Sequence, residues 1–441
     1  MPEDPLIIFR TVFASACAFF TLIHLPWFVR ALRIWDASFD DAQLPPEHMR
    51  ENKDVDESEL VAKNPLQKIL PTLNIPAFIA VGIAFVILML CAACSVYPRV
   101  SLLLAIVAYL VFFKTVIWTS KVARKTSLIP WTCLLLAVMP EDPQTQSLTV
   151  MAIKVLLIQM WFSAALHKLT YAKDQWLNGN ALRYNLIREP IQNTQDPERA
   201  IGTRLAFMPA LVIPLAIAVL LVELTSPLVL LNTTALLGAI AYVVFLGLHL
   251  GIYALWRLDY LSFCYLPIGG ILLIPSTYPF AEIFPAAFGD INAMLTMAVI
   301  IVLVVNIFLR IESWPLHTWP MFASAPEFSS MKIHRLIAFH GTQKSVVQAQ
   351  DRYLNRGISR HGPYLRWIGE YWARTNAIDP STIDRLELEM VTVQDTNDAL
   401  RIEPVTSFKR LSQLERWRWL PPWEEIYQDK ERLSEYRTDN D

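Results

Sequence analysis

The sequence predicts an all-α polytopic membrane bundle of eight or nine spans with a small C-terminal α+β soluble domain. Three observations carry that expectation. Hydrophobic residues make up 54% of the 441-residue chain and charged residues only 18%, which together with a positive mean hydropathy departs from the soluble average. Apolar runs close to the ~20 residues needed to cross about 30 Å of hydrocarbon recur up to about Arg310. Beyond that residue the composition becomes an ordinary mixture of charge and hydrophobe.

Spans are expected near residues 6–29, 74–96, 101–119, 148–168, 205–223, 233–256, 258–275 and 293–310. The shorter run at 129–139 leaves three readings open: a ninth span, a re-entrant segment or a buried half-helix. The first run is too long for a cleaved signal and too aromatic at its exit through Pro26, Trp27 and Phe28, and no small-residue cleavage pattern precedes Arg30. Residues 35–70, with Asp40, Asp41, Asp54, Asp56, Glu57 and Glu59, have the composition of an exposed acidic loop.

Residues 1–310 therefore form the membrane domain and residues 311–441 the soluble one. Within the latter, residues 331–339 and 386–393 read as strands, and residues 362–375 space Leu365, Ile368, Tyr371 and Trp372 as a helix does. Residues 414–427 gather Trp417, Trp419 and Trp423 among arginines and prolines, which suits a membrane surface or the cap itself.

A net charge of −2 with dispersed basic residues excludes the concentrated positive field that nucleic acid requires. The partner this composition predicts is the lipid bilayer. With nine spans, Arg30, Arg33, Lys121, Arg124, Lys125, Lys168, Lys173, Arg257 and Arg310 fall on one side, cytoplasmic by the positive-inside rule, with Glu141, Asp142 and Glu223 on the other. With eight spans the later ends change sides. The five cysteines, Cys17, Cys91, Cys94, Cys133 and Cys264, all lie in apolar segments, where a thiol packs as a small hydrophobe. Cys91-x-x-Cys94 has redox spacing but lacks the βαβ setting of a redox motif.

Ionisable side chains inside spans are functional-site candidates by default. Lys154, Trp161 and Lys168 are seven residues apart and so share one helical stripe. The two amines are roughly 21 Å apart along the axis and need separate explanations. For Lys168 one reading is an amine extended into the headgroups; the other is a pocket for a small planar ligand, with Ala164 and Ala165 leaving volume beside the amine and His167 adjacent. For Lys154 the expectation is a structural ion pair with another charge, such as Glu223 or a loop carboxylate. Arg10, Lys114, Glu223 and His249 complete the set, and His249 lies between Gly247 and Gly251, which would permit close helix approach. Gly-x-Ser-x-Gly, phosphate-loop and His-Glu-x-x-His signatures are missing, and the eight histidines show no ligand spacing, so no metal is assigned.

Leu6 to Arg10, then Phe162-Ser163-Ala164-Ala165-Leu166-His167-Lys168-Leu169 and Trp176-Leu177-x-Gly179-x-Ala181-Leu182, resemble the HTTM domain, the membrane portion shared with vitamin K-dependent γ-carboxylase. Glu223 with Ser226-Pro227-Leu228, the Leu248 to Gly251 segment, and Trp319-Pro320-Met321-Phe322 are similar to further motifs of that family, the last found in bacterial members. The resemblance covers about the first 325 residues. It implies a bacterial inner-membrane protein that binds a reduced quinone of the vitamin K hydroquinone kind, with Lys168 as base, His167 and His249 as polar auxiliaries, and Trp161, Ala164, Ala165 and Trp176 lining the ligand. The family's chemistry is carboxylase and epoxidase chemistry: a neutral amine deprotonates the quinol, and the oxygenated ligand then removes a glutamate γ-proton before CO2 is captured.

Three departures mark this chain: His167 replaces a second lysine, the gap from Lys168 to Trp176 is longer, and the C-terminal portion is small. The competing expectation is a non-catalytic membrane component for maturation or export of a secreted peptide or protein. A transporter ranks lower, because the two halves lack a symmetric pair of Gly/Pro-broken spans.

Overall fold

The computed structural model describes residues 4–38, 73–116, 128–256, 261–275, 285, 287–309, 332–341, 343–347, 372–373, 378, 382–394 and 399–408. Its helices are α1 (Pro5–Ser38), α2 (Ile75–Ala93), α3 (Pro98–Val116), α4 (Leu128–Ala137), α5 (Pro143–Tyr171), α6 (Lys173–Leu177), α7 (Asn180–Asn193), α8 (Ile201–Ala206), α9 (Pro209–Leu224), α10 (Ala235–Trp256) and α11 (Ile291–Leu309). Five of them, α1, α2, α5, α10 and α11, are long and apolar enough to cross a membrane, and they make the chain a membrane protein. Helices α4 and α9 are apolar but shorter, and the apolar stretch of α3 is Pro98–Phe113.

Local chemistry sets the helix ends. Asp142 accepts the Thr145 N–H at 3.0 Å and Pro143 opens α5, so a capping acceptor and a residue without an N–H share the orphaned first turn. Asn74 caps α2 in the same way through the Ala77 N–H. Between α2 and α3 the chain reverses through Ser95 (φ 60°) and Tyr97 (φ 43°), left-handed conformations that cost a non-glycine residue energy. Arg10 holds that turn from α1, donating to Ser95 Oγ at 2.6 Å. Cys94 ends α2 as a free, exposed thiol, and Cys17 and Cys133 are free and buried.

The helix α5 is the spine. Of its apolar window 89% is buried, against 22% for α10, so α5 is surrounded by protein while α10 shows most of its surface outward. It packs against α4, α9, α11 and the segments at 226–231 and 269–273. At 10 residues α4 is about 15 Å long, half the hydrocarbon thickness, and most of its side chains are buried. The described part of the 129–139 run is thus a buried half-length helix.

Two further expectations are corrected. The segment read as a span at 258–275 is not a continuous α-helix. Leu261–Tyr265 is π-helical, and after Leu266–Ile268 the chain becomes 3-10 through Gly269–Leu273. Pro267 cannot donate to the preceding turn, and Gly269 and Gly270 weaken the regular helix. The apolar run ending at Glu223 also continues: α9 breaks at Thr225 and resumes as 3-10 helix over Ser226–Leu231. Helix α9 runs back along α5, its start beside Gly179 and its end beside Lys168.

His249's flanking glycines do not serve close helix approach, because a Cβ at Gly247 or Gly251 would meet nothing within 4 Å. The tight glycine on α10 is Gly238, whose Cβ would lie 2.3 Å from the Leu272 carbonyl oxygen and 2.6 Å from Asn232 Nδ2. Gly238→Ala is expected to lower stability by about 1–3 kcal/mol through overpacking. Gly247→Ala should be neutral or slightly stabilising. Thermal unfolding of the two variants in detergent compares them.

Beyond α11 the described residues hold four strands, β1 (Lys332–His340), β2 (Gln343–Val347), β3 (Arg385–Gln394) and β4 (Ala399–Phe408). They form an antiparallel sheet in the order β2-β1-β3-β4. The two strands expected from the sequence are β1 and β3, in the centre, while β2 and β4 are its edges. Pro404 sits on edge strand β4, where a missing donor is tolerated, beside a bulge at Leu388/Glu389. Most of the expected helix at 362–375 and all of the 414–427 stretch lie outside the described residues.

Candidate functional site

Lys168 is 2% exposed, which removes the headgroup reading of its amine. Its Nζ donates to both carboxyl oxygens of Glu223, at 2.6 and 2.5 Å, and lies 4.5 Å from the centroid of the buried Trp176 ring. The indole face favours a cation at that distance. Trp176 reaches the amine because α5 ends at Tyr171 and the short α6 turns the chain back toward it. Gly179 then closes the Trp-x-x-Gly turn at φ 77°, a conformation that a side chain would strain, and its N–H bonds the Trp176 carbonyl.

The pairing corrects two expectations. Glu223 belongs to Lys168 and not to Lys154, and the two residues sit at one depth instead of on opposite sides. The cause is the break at Thr225: Glu223 ends a helix but not the apolar path, so it stays among apolar neighbours. Lys154, fully buried, instead donates to the Ile274 carbonyl at 2.8 Å, where the broken segment at 261–273 ends. Cations held by carbonyls at the ends of discontinuous helices recur in membrane proteins.

A second cluster surrounds Trp161. Its indole stacks on Phe245 of α10, with centroids 3.6 Å apart and planes within 10°, and its Nε1–H donates to His249 Nε2 at 3.1 Å. An accepting Nε2 requires a neutral imidazole with its proton on Nδ1. The Tyr265 ring lies 5.0 Å from His249, and its hydroxyl donates to the Tyr242 carbonyl at 2.5 Å. This tyrosine is carried by the π-helical turn, and Gly269 leaves room for it, since a Cβ there would come within 2.9 Å of the ring.

The structure therefore divides the expected site residues. Lys168 and Trp176 meet, with Glu223 between α9 and α5. His249 meets Trp161 roughly 10 Å further along α5, with Phe245 and Tyr265. Ala164 and Ala165 lie on α5 between the two clusters and are buried, as is His167. Sequence reasoning missed Tyr265 and Phe245, for which periodicity gives no signal among so many apolar aromatics. Glu223 was visible as a lone acid in an apolar run, but its choice between two lysines on one stripe was not.

Chemically, an amine that keeps its proton beside a carboxylate is a donor and a fixed positive charge. Once the proton leaves, the same nitrogen becomes a base in a site shielded from bulk water. Among the described residues no group of three or more His, Cys, Asp or Glu side chains is placed to hold a metal. Comparison with family models, with curated proteins and with solved structures finds no match.

Proposed function

We propose that the chain is a quinol-dependent enzyme of the bacterial inner membrane, with eight spans and an HTTM-like membrane domain, in which Lys168 acts as base. Its enclosure carries this reading: the amine is held among Glu223, Trp176 and apolar helices, shielded from bulk water, where a positioned base can take a proton from a bound acidic hydroxyl. A reduced quinone of the vitamin K hydroquinone kind, once bound, would supply a hydroxyl acidic enough to react and a ring able to pass electrons to oxygen. Trp176 would lie against that ring, Ala164 and Ala165 would leave it space, and His167 would be the nearest polar auxiliary in the chain. Trp161 and His249 would form the far wall.

The test is extraction and mass spectrometry of the purified protein, with Lys168→Arg as the discriminating variant. Arginine keeps the cation and the carboxylate partner but cannot serve as a base. Quinone is expected in both proteins, with quinol-dependent oxygen consumption lowered about 100-fold or more in the variant. Protein without quinone, or a variant with full turnover, refutes the assignment.

The closed Lys168–Glu223 pair also favours a second reading, since a structural ion pair accounts for it without chemistry. Under it the chain is a non-catalytic membrane component for maturation or export of a secreted peptide or protein. Tolerance of Lys168→Arg, co-purification of a partner and no quinone would support that reading.

A further inference from the structure

We propose that Glu223 holds the proton that Lys168 must shed, so that the two side chains rest as a neutral amine and carboxylic acid rather than as a fixed ion pair. The proposal rests on the reading of Lys168 as base. It starts from geometry: both carboxyl oxygens lie within 2.6 Å of one nitrogen, and the two side chains are 2% and 7% exposed. At these distances a proton passes between the partners without either one moving. The Nζ–H bond breaks, its electron pair remains on nitrogen as the lone pair, and an O–H bond forms on Glu223. No oxidant, reductant or third group is needed, and the net charge of the pair is zero before and after.

Two opposing influences act on the proton. Enclosure penalises two separate charges and so favours the neutral form. The Trp176 face, 4.5 Å from the nitrogen, favours the cation. A ligand hydroxyl that protonates the amine would therefore create an ammonium already provided with a stabilising ring, while the acid on Glu223 keeps the nitrogen from losing its lone pair beforehand. Glu223 is thus a positioning residue that acts through Lys168. Helix α9 places it there, packing against α5 with its last turn beside Lys168.

Infrared spectroscopy of the full chain in detergent, with and without 13C-glutamate, tests the protonation directly. A carbonyl band of a protonated carboxyl is expected that shifts on 13C labelling and on deuterium exchange and is absent from Glu223→Gln. Labelling matters because Glu189 and Glu389 are also buried. Identical spectra for the wild type and Glu223→Gln in that region would overturn the proposal. Should Glu223→Gln fail to fold, Glu223→Asp should move the band out of the glutamate-labelled set, and a band that stays there overturns the proposal equally. Quinone extracted from the same samples separates the two claims. Quinone without the band removes the proposal and leaves Lys168 as base, whereas the band without quinone keeps the neutral pair and removes the enzyme. Given quinone, Glu223→Gln should lower turnover about 100-fold at unchanged occupancy, with partial recovery in Glu223→Asp. Joint loss of occupancy and turnover would mark a merely structural residue.

Discussion

Glu389→Ala is expected to cost about 3–5 kcal/mol and to loosen the sheet from the helices, because it leaves the guanidinium of Arg335 buried without its counter-charge. Arg335 and Glu389 face each other across β1 and β3 at 2.7 Å, with side chains 3% and 4% exposed. Lys344 adds a second, half-exposed contact to the same carboxylate. Arg335 also donates to the carbonyls of Thr194 and Gln195, where α7 ends and a cation is favoured by the helix dipole. Gln195 in turn donates to the Lys344 carbonyl on edge strand β2. One substitution thus strikes both the sheet and its attachment. Hydrogen exchange of β1 and β2 amides together with thermal unfolding measures it, and a loss below about 1 kcal/mol would mean that water reaches the guanidinium. Replacing the pair together, Arg335→Met with Glu389→Leu, should come back near the parent stability, since no uncompensated charge remains.

Trp161→Ala should be the most damaging change inside the membrane portion, at about 3 kcal/mol. That is the lower end of the range for a buried tryptophan, because hydrocarbon is as apolar as the helix interior and little transfer energy is lost. What is lost is the stack on Phe245 and the indole hydrogen bond to His249. Trp161→Phe keeps ring contact and removes only the donor, so its cost should fall to roughly 1 kcal/mol. Unfolding midpoints of the two variants in detergent give the comparison. Equal losses would mean that the His249 contact, rather than packing, holds α5 to α10.

Much of the fold was legible because it follows from local composition. Apolar runs near residues 75–93, 235–256 and 291–309 became helices within a few residues of the expected ends, since hydrocarbon forces every backbone polar group to be satisfied inside the segment. The central strands β1 and β3 were readable from their β-rich pattern. Edge strand β4 was not, as Pro404 and interspersed charges obscure its alternation, and β2 is only five residues long. Helix α7 was missed because Arg183, Asn185 and Glu189 make it polar, yet it buries them, with Arg183 Nε donating to the Ala206 carbonyl at 2.7 Å.

Within the site, the sequence singled out Lys168, His249, Trp161 and Trp176 as unusual, and each proves buried. It could not say which of them meet. Three placements decided that: the packing of α9 on α5 that holds Glu223 against Lys168, the π-helical turn that brings Tyr265 to His249, and the Gly179 turn that leads the chain on from Trp176. By itself the sequence determined that this is a membrane protein and which polar residues are costly enough there to need partners, because those follow from transfer energies summed along the chain. Partner choice belonged to the tertiary structure, because it depends on where helices break and which way they return, and contacts 55 and 88 residues apart leave no local periodicity to read.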